Sequence, residues 1–347
     1  MENTLIPIGI IGAGSFGSAI ANLIAINHRV LLCCRQPEQR DAINKQHIND
    51  GIAMSENIIA TVSLQEVAEK CQLIFPIVPS AKFRNMIVKL APHLRPYHIL
   101  IHGTKGFDLH DFDEAKLGTQ PVMRKNIRTM SEVILEESVV VRVGCLSGPN
   151  LATEIIAGQP AASVVASRFK EVVDAGKNAL NSSQFRVFGS NEIFGAELAG
   201  AMKNVIAIGS GILGGLGLGK NIQAMLITRG LTEMIYFGKA LGATNKAFLG
   251  TAGIGDLVAT ATSIGSRNYT FGVRLAKGET IDEINASMPE LAEGVRTLRI
   301  MRYLAKTYKL HVPITMMLYS VVFDGYSIQK ALSNLIEYPY DVDVDFL

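Results

Sequence analysis

The sequence predicts an α/β chain in two parts: a mostly parallel sheet domain over residues 1–190, then an all-helical domain over 191–347. Three observations carry this. Short apolar runs alternate with helical patterns through the first half. A glycine-rich loop, Gly12-Ala13-Gly14-Ser15-Phe16-Gly17, closes the first of those runs and opens the first helix. Beyond Gly189-Ser190-Asn191-Glu192 the β-rich runs stop, and nearly everything reads as helix broken by glycine. A chain of 347 residues is also longer than one core usually sustains.

The elements follow in order. Ile6 to Ile11 is a continuous apolar run, as expected of a strand buried on both faces. Ser15 to Asn27 places Ala19, Ile20, Leu23, Ile24 and Ala25 at helical spacing. Further strands are expected at Val30 to Cys34, Ile58 to Val62, Leu73 to Val78, His98 to His102, Val139 to Leu146 and Ala162 to Ala166. Helices are expected at Ala81 to Leu90 and Val122 to Leu135, giving right-handed crossovers. Ser190 or Asn191 is placed to cap the first helix of the second half, with Glu192 favourable in its first turn. The short acidic tail after Tyr338 is expected to decorate the surface.

Composition narrows the function. Lys and Arg number 33 against 31 Asp and Glu, without a basic block, so no nucleic-acid partner is expected. Cys33, Cys34, Cys71 and Cys145 form no Cys-x-x-Cys pair; they read as small buried hydrophobes of a cytoplasmic protein, with neither metal nor disulfide. Leu5 to Asn27 is uncharged, yet Glu2 stands where an export signal is basic and glycines break the run. Ile193 to Leu218 is apolar but holds Glu197 and Lys203, so it is read as a core helix and not as a membrane span.

Gly12-x-Gly14-x-x-Gly17, after a strand and before a helix, fits a dinucleotide-binding turn of the Rossmann type. The first glycine makes the turn, the second admits a diphosphate to the backbone, and the third lets helix and strand pack closely. Amides at the helix start then meet the negative diphosphate. The second strand ends Cys33-Cys34-Arg35-Gln36, without the carboxylate that usually holds the ribose hydroxyls of NAD. Arg35 suits a 2′-phosphate, so NADP(H) is preferred and NAD(H) possible; an ordinary solvated arginine is the other reading. Val78-Pro79-Ser80 and His102-Gly103-Thr104-Lys105-Gly106 follow later strands, and Lys105 there has the reach for a phosphate or a reacting oxygen.

In the helical half, Lys203 interrupts an apolar segment, Gly195 to Ile206, where desolvating a lysine is expensive unless it has partners or a task. Acid–base work is one reading; snorkelling or pairing with Glu197, which shares a helix side with Gly200 and Asn204, is the other. Asp256 sits between glycine turns and a helix, with Thr260 one turn on, where a plain cap would also place it. Ser266, Arg267 and Asn268 open the pattern Tyr269 to Lys277 with groups suited to a phosphate, or as a cap followed by an exposed arginine.

Together these residues resemble the glycerol-3-phosphate dehydrogenase family, in particular its bacterial NAD(P)-dependent branch. The matching pieces run in order along nearly the whole chain: the glycine loop, Val-Pro-Ser at 78–80, Thr-Lys-Gly at 104–106, Ser-Gly-Pro at 147–149 and Lys-Asn-Val-Ile-Ala-Ile-Gly at 203–209. Thr-Arg-Gly-Leu at 228–231, Gly-Asp-Leu at 255–257, Ser-Arg-Asn at 266–268, Glu-Gly at 293–294 and Val-Pro-Ile-Thr at 312–315 complete them.

The resemblance implies reversible hydride transfer between NAD(P)H and dihydroxyacetone phosphate, giving sn-glycerol 3-phosphate for glycerophospholipid synthesis. It implies that Lys203 is the general acid/base, with Asp256 and Thr260 orienting it. Substrate would be bound by Lys105, Gly148, Asn150, Asn204, Ser266, Arg267 and Asn268, together with Lys203 and Asp256. The dinucleotide would meet Gly12, Gly14, Ser15, Phe16, Gly17, Arg35, Lys105, Ala152, Arg267, Leu291 and Glu293. A homodimer is expected. This chain departs from the pattern in carrying Asn150 where the bacterial branch has Thr, in a longer segment between Gly106 and Val139, in lacking the usual Leu-Pro elements around 45–58, and in a turn one residue short before the second strand. A related β-hydroxyacid dehydrogenase and a non-catalytic dinucleotide sensor are the rival readings.

Overall fold

The computed structural model describes residues 6–288 and 292–337; Leu291 and the acidic tail from Tyr338 lie outside the described residues. Contacts divide the chain into two units. The first comprises residues 1–108 and 128–197, the second 109–127 and 198–347. The break therefore falls after Glu197 and not at residue 190, and 109–127 leaves the sheet unit to join the helical one. The cause is visible in its bonds. Within the second unit, Glu114 is held by Arg296, and the Arg124 amide by the hydroxyl of Tyr308.

The first unit is built on an eight-stranded sheet of β1 (Ile8–Ile11), β2 (Val30–Cys33), β3 (Ile58–Thr61), β4 (Leu73–Pro76), β5 (Ile99–His102), β6 (Arg142–Ser147), β7 (Ala161–Ser167) and β8 (Phe185–Ser190). Its spatial order is β8-β7-β6-β5-β4-β1-β2-β3. Every pairing is parallel except β6 with β7. Alternation along the strands feeds two cores. Ile8, Ile10, Val30 and Leu32 face one, with Ile20 and Ile24 of α1 (Ser15–Ala25) and Leu180 of α7 (Lys170–Leu180). Ile11, Leu31 and Cys33 face the other, with Val67 of α3 (Leu64–Lys70), Phe83 and Ile87 of α4 (Ser80–Leu90) and Val133 of α5 (Met130–Glu137). Helices thus cover both faces, which is why the strands read as unbroken apolar runs. Each fully buried Ile, Leu or Phe contributes roughly 1.5–3 kcal/mol.

Two local expectations are corrected. Val122 to Leu135 is not one helix: a 3₁₀ turn at Arg124–Asn126 and a short strand at Ile127–Arg128 precede α5. Thr129 starts α5 through a reciprocal cap, its amide donating to the Glu132 carboxylate at 2.9 Å. Residues 37–46 form a further helix, α2 (Pro37–Gln46), in which Ile43 is the buried residue. Phe185–Ser190 is a strand, and Ser190 ends it, its hydroxyl accepting the Glu192 amide at 3.1 Å.

The second unit is helical. It receives α8 (Ile193–Gly215) from Leu198 onward, followed by α9 (Lys220–Leu241), α10 (Asp256–Thr262), α11 (Arg267–Ala276), α12 (Ile281–Ser287), α13 (Glu293–Tyr308), α14 (Pro313–Phe323) and α15 (Ile328–Glu337). α8 is long and apolar enough to cross a membrane, and 89% of its apolar window is buried inside the protein. α11 crosses α8 with backbones almost touching, since a side chain on Gly272 would sit 2.0 Å from the Ile208 carbonyl.

Candidate active site

In the first unit, the loops after β1, β4, β5 and β6 leave the carboxyl ends of adjacent strands, where open α/β sheets hold ligands. Gly12 adopts φ +114°, and a Cβ there would stand 2.0 Å from the Ile77 carbonyl oxygen. A Cβ on Gly17 would stand 1.9 Å from the Gly12 oxygen. Both positions therefore exclude any side chain. Gly14 precedes α1 in extended conformation, and no side chain caps that helix start, nor is there an acidic residue in its first turn. The turn is a cradle for an anion, and it fits a dinucleotide diphosphate. Ser15 is exposed, and Phe16 packs over Gly103. Arg35 is exposed just beyond β2, and Ala152 opens the short helix α6 (Ala152–Ile156).

The next loops are tied together. Thr104 donates its hydroxyl to the Val78 carbonyl at 2.7 Å. The Lys105 ammonium donates to the carbonyl of Gly148 at 2.8 Å. Asn150 gives its amide to the Ser163 hydroxyl at 3.0 Å, while its own Oδ1 is buried with no partner among the described residues. That orphaned acceptor is one place where a ligand donor is wanted.

In the second unit, Lys203 on α8 is 5% exposed, Asp256 0% and Thr260 4%. The Lys203 ammonium donates to Asp256 Oδ1 and, at 2.5 Å, to the Thr260 hydroxyl. A π-helical turn, Thr251–Gly255, delivers Asp256 as the first residue of α10, and α-helical spacing sets Thr260 one turn later on the same face. The paired charge offsets the desolvation of the lysine. Glu197 is not its partner: that carboxylate is taken up in the first unit, by His102 Nε2 at 2.8 Å and by the Ser131 amide and hydroxyl at 2.8 and 2.5 Å. The His102–Ser131–Glu197 cluster escaped the sequence reading, because its members are far apart in the chain.

Beside Lys203, Asn204 accepts the Asn268 amide at 3.0 Å, and Asn268 Oδ1 accepts the Gly294 backbone N–H at 2.9 Å. Asn268 is thus fixed on both sides. Ser266 caps α11, its hydroxyl accepting the Tyr269 amide at 3.3 Å, and Arg267 follows as an exposed first residue. Glu293, half-buried, begins α13. The structure therefore groups Lys203, Asn204, Asp256, Thr260 and Asn268 within one unit, and Gly12, Gly14, Ser15, Phe16, Gly17, Lys105, Gly148 and Asn150 at strand ends of the other.

Family comparison covers both halves. Residues 7–173 match the NAD-dependent glycerol-3-phosphate dehydrogenase N-terminus and residues 192–333 the C-terminus of the same family. The chain is 38% identical over 346 residues to the glycerol-3-phosphate dehydrogenase [NAD(P)+] of Pseudomonas fluorescens, covering 98% of this chain and 93% of the relative. It is likewise 38% identical to that of Azotobacter vinelandii, covering 98% and 97%. Among solved structures, a glycerol-3-phosphate dehydrogenase from Coxiella burnetii superposes with a TM-score of 0.85 at 31% identity, covering 96% and 99% of the two chains. The Saccharomyces cerevisiae enzyme shares the fold, with a TM-score of 0.80 at 23% identity, covering 96% and 100%.

Proposed function

The chain belongs to the NAD-dependent glycerol-3-phosphate dehydrogenase family, and from that membership we propose that it interconverts dihydroxyacetone phosphate and sn-glycerol 3-phosphate with NADP(H) or NAD(H). It is then an oxidoreductase acting on a CH–OH group. The observation that carries this reading is the buried Lys203 ammonium on Asp256 and Thr260, one residue from the Asn204–Asn268 pair.

When bound, the nicotinamide supplies or accepts a hydride at the substrate C2. The residues of the chain do the rest. Lys203 gives a proton to the C2 oxygen as the carbonyl is reduced, so that ketone, hydride and proton sum to the alcohol; in reverse it removes that proton. Asp256 and Thr260 hold the ammonium in one orientation, which fixes the path of the proton. The first turn of α11 receives the phosphate, with Arg267 as its cation, backbone amides of the helix start, and Ser266 and Asn268 as polar supports. Lys105, Gly148 and Asn150 are further substrate groups in this reading, with the Asn150 carbonyl accepting a hydroxyl. Gly12, Gly14, Ser15, Phe16, Gly17 and Ala152 hold the dinucleotide, and Arg35 meets a 2′-phosphate, which favours NADP(H). Arg267, Leu291 and Glu293 complete the cofactor contacts. The four free, buried thiols fit a reducing compartment, and we place this enzyme in the cytoplasm as a homodimer making the glycerol phosphate backbone of phospholipids.

The test is Lys203→Ala, assayed by NAD(P)H oxidation with dihydroxyacetone phosphate, with folding checked by circular dichroism. The expected result is a loss in kcat of roughly 10²–10⁴-fold, with cofactor affinity kept. A folded variant with full kcat would overturn the proposed role.

A further inference from the structure

The segment 109–127 is fastened along α13 within the helical unit at three points. Near the start of the helix, Arg296 Nε donates to both carboxylate oxygens of Glu114, at 3.0 and 3.2 Å. Two turns on, the Tyr303 hydroxyl lies against Gly118, 2.7 Å from where a Cβ would stand. At the far end, the Tyr308 hydroxyl accepts the Arg124 amide at 3.0 Å. The side chains of Arg296 and Glu114 keep 20% and 39% of their exposure, so this is a half-sheltered ion pair and not a free surface one.

The same helix start is locked to the polar residues beside Lys203. Gly294, two residues before Arg296, donates its amide to Asn268 Oδ1 at 2.9 Å. It also packs so closely on Asn204 that a Cβ would stand 2.6 Å from the Asn204 carbonyl oxygen. Two helical residues span about 3 Å, so Arg296 and Gly294 move as one rigid piece. No flexible side chain lies in the contact between Gly294 and Asn204 to absorb a shift. Any displacement of the start of α13 therefore reaches Asn268, and through its 3.0 Å bond reaches Asn204.

We propose that Glu114 and Arg296 are positioning residues for the substrate phosphate: their ion pair fixes the start of α13, and so seats Asn268 and the first turn of α11. This inference rests on the assignment of the phosphate to that turn. It gives the segment 109–127 a task in the reaction, as a strap that sets the phosphate-binding geometry and leaves proton transfer to Lys203.

The experiment compares wild type, Glu114→Gln, Arg296→Met and the exchanged pair Glu114→Arg/Arg296→Glu. Steady-state rates are measured with dihydroxyacetone phosphate varied at saturating NADPH, then the reverse, and with unphosphorylated dihydroxyacetone; Tm is recorded for each. Either single change is expected to raise KM for dihydroxyacetone phosphate about fivefold, with kcat held within about twofold. kcat/KM for unphosphorylated dihydroxyacetone should not move, and the exchanged pair should recover most of the lost KM. A lowered Tm with unchanged KM values would overturn the proposal, leaving the strap a brace. So would an equal fall in kcat/KM for the phosphorylated and the unphosphorylated ketone. In either case wild-type turnover leaves the functional reading standing, whereas wild type inert toward dihydroxyacetone phosphate overturns that reading and this inference with it.

Discussion

Two buried ionisable side chains of the helical unit are accommodated in different ways. Lys203 is matched by the Asp256 carboxylate. Glu233 on α9, fully enclosed, has neutral donors instead: the amides of Ile314 and Thr315 at 2.6 and 2.9 Å, and the Thr315 hydroxyl at 2.7 Å. It thereby satisfies buried amides at the start of α14 that have no acceptor within the helix. Burial pushes its carboxyl up from 4.5 to about 7, outweighing those donors. A folded-state pKa above the unfolded one means that protonated Glu233 contributes stability below about 4.5, and that this contribution is lost as pH rises through about 7. The total is roughly 3 kcal/mol at most. Glu233→Gln cannot titrate, so the Tm of wild type relative to this variant should fall between those pH values. A constant Tm difference across a thermal melt series would contradict the shift. Lys203 stood out in the sequence as a charge inside an apolar run. Glu233 did not, because its donors lie some eighty positions downstream, and only packing of α9 against α14 unites them.

The elements repeat that contrast. β1 and the glycine loop were legible because burial on both faces makes a strand uniformly apolar, and because Gly12 and Gly17 leave no room for a side chain. α2 was not, since Ile43 alone supplies its buried face and most of the remainder is polar. Residues 122–135 misled for the opposite reason. Their apolar content suits a helix throughout, and the Thr129 cap starts it only at Met130. β8 was hidden by its place at the sheet edge, where buried Phe185 and Val187 alternate with exposed Arg186 and Phe188. The end of β2 carries a prediction at this scale. Arg35, exposed one residue past Cys34, is the cation proposed for a 2′-phosphate. Arg35→Ala should weaken NADPH binding about tenfold, the loss of one charge-assisted contact, and leave NADH nearly unchanged. Equal weakening of both cofactors in a titration would refute the assignment.

At the scale of the molecule, each contact unit carries its own part of the proposed machinery. The sheet unit has a side-chain-free glycine turn and strand-end polar groups; the helical unit has the buried Lys203–Asp256 pair and the start of α11, proposed as proton donor and phosphate site. Hydrophobic pattern marks a change of character near residue 190, whereas contacts group 109–127 with 198–347, because pattern reports local structure and not where a loop is bonded. That 109–127 belongs with the helices is settled by Glu114 and Arg124, polar residues whose partners Arg296 and Tyr308 come some 180 positions later. The identity of the reaction rests on the helical unit, since a glycine turn alone says only that a dinucleotide binds. The most direct measurement is therefore the oxidation of NADPH by the wild-type chain with dihydroxyacetone phosphate against unphosphorylated dihydroxyacetone. A site built for the phosphate should favour the phosphorylated ketone by at least about 10²-fold in kcat/KM. Equal rates with both ketones, or no oxidation with either, would contradict it.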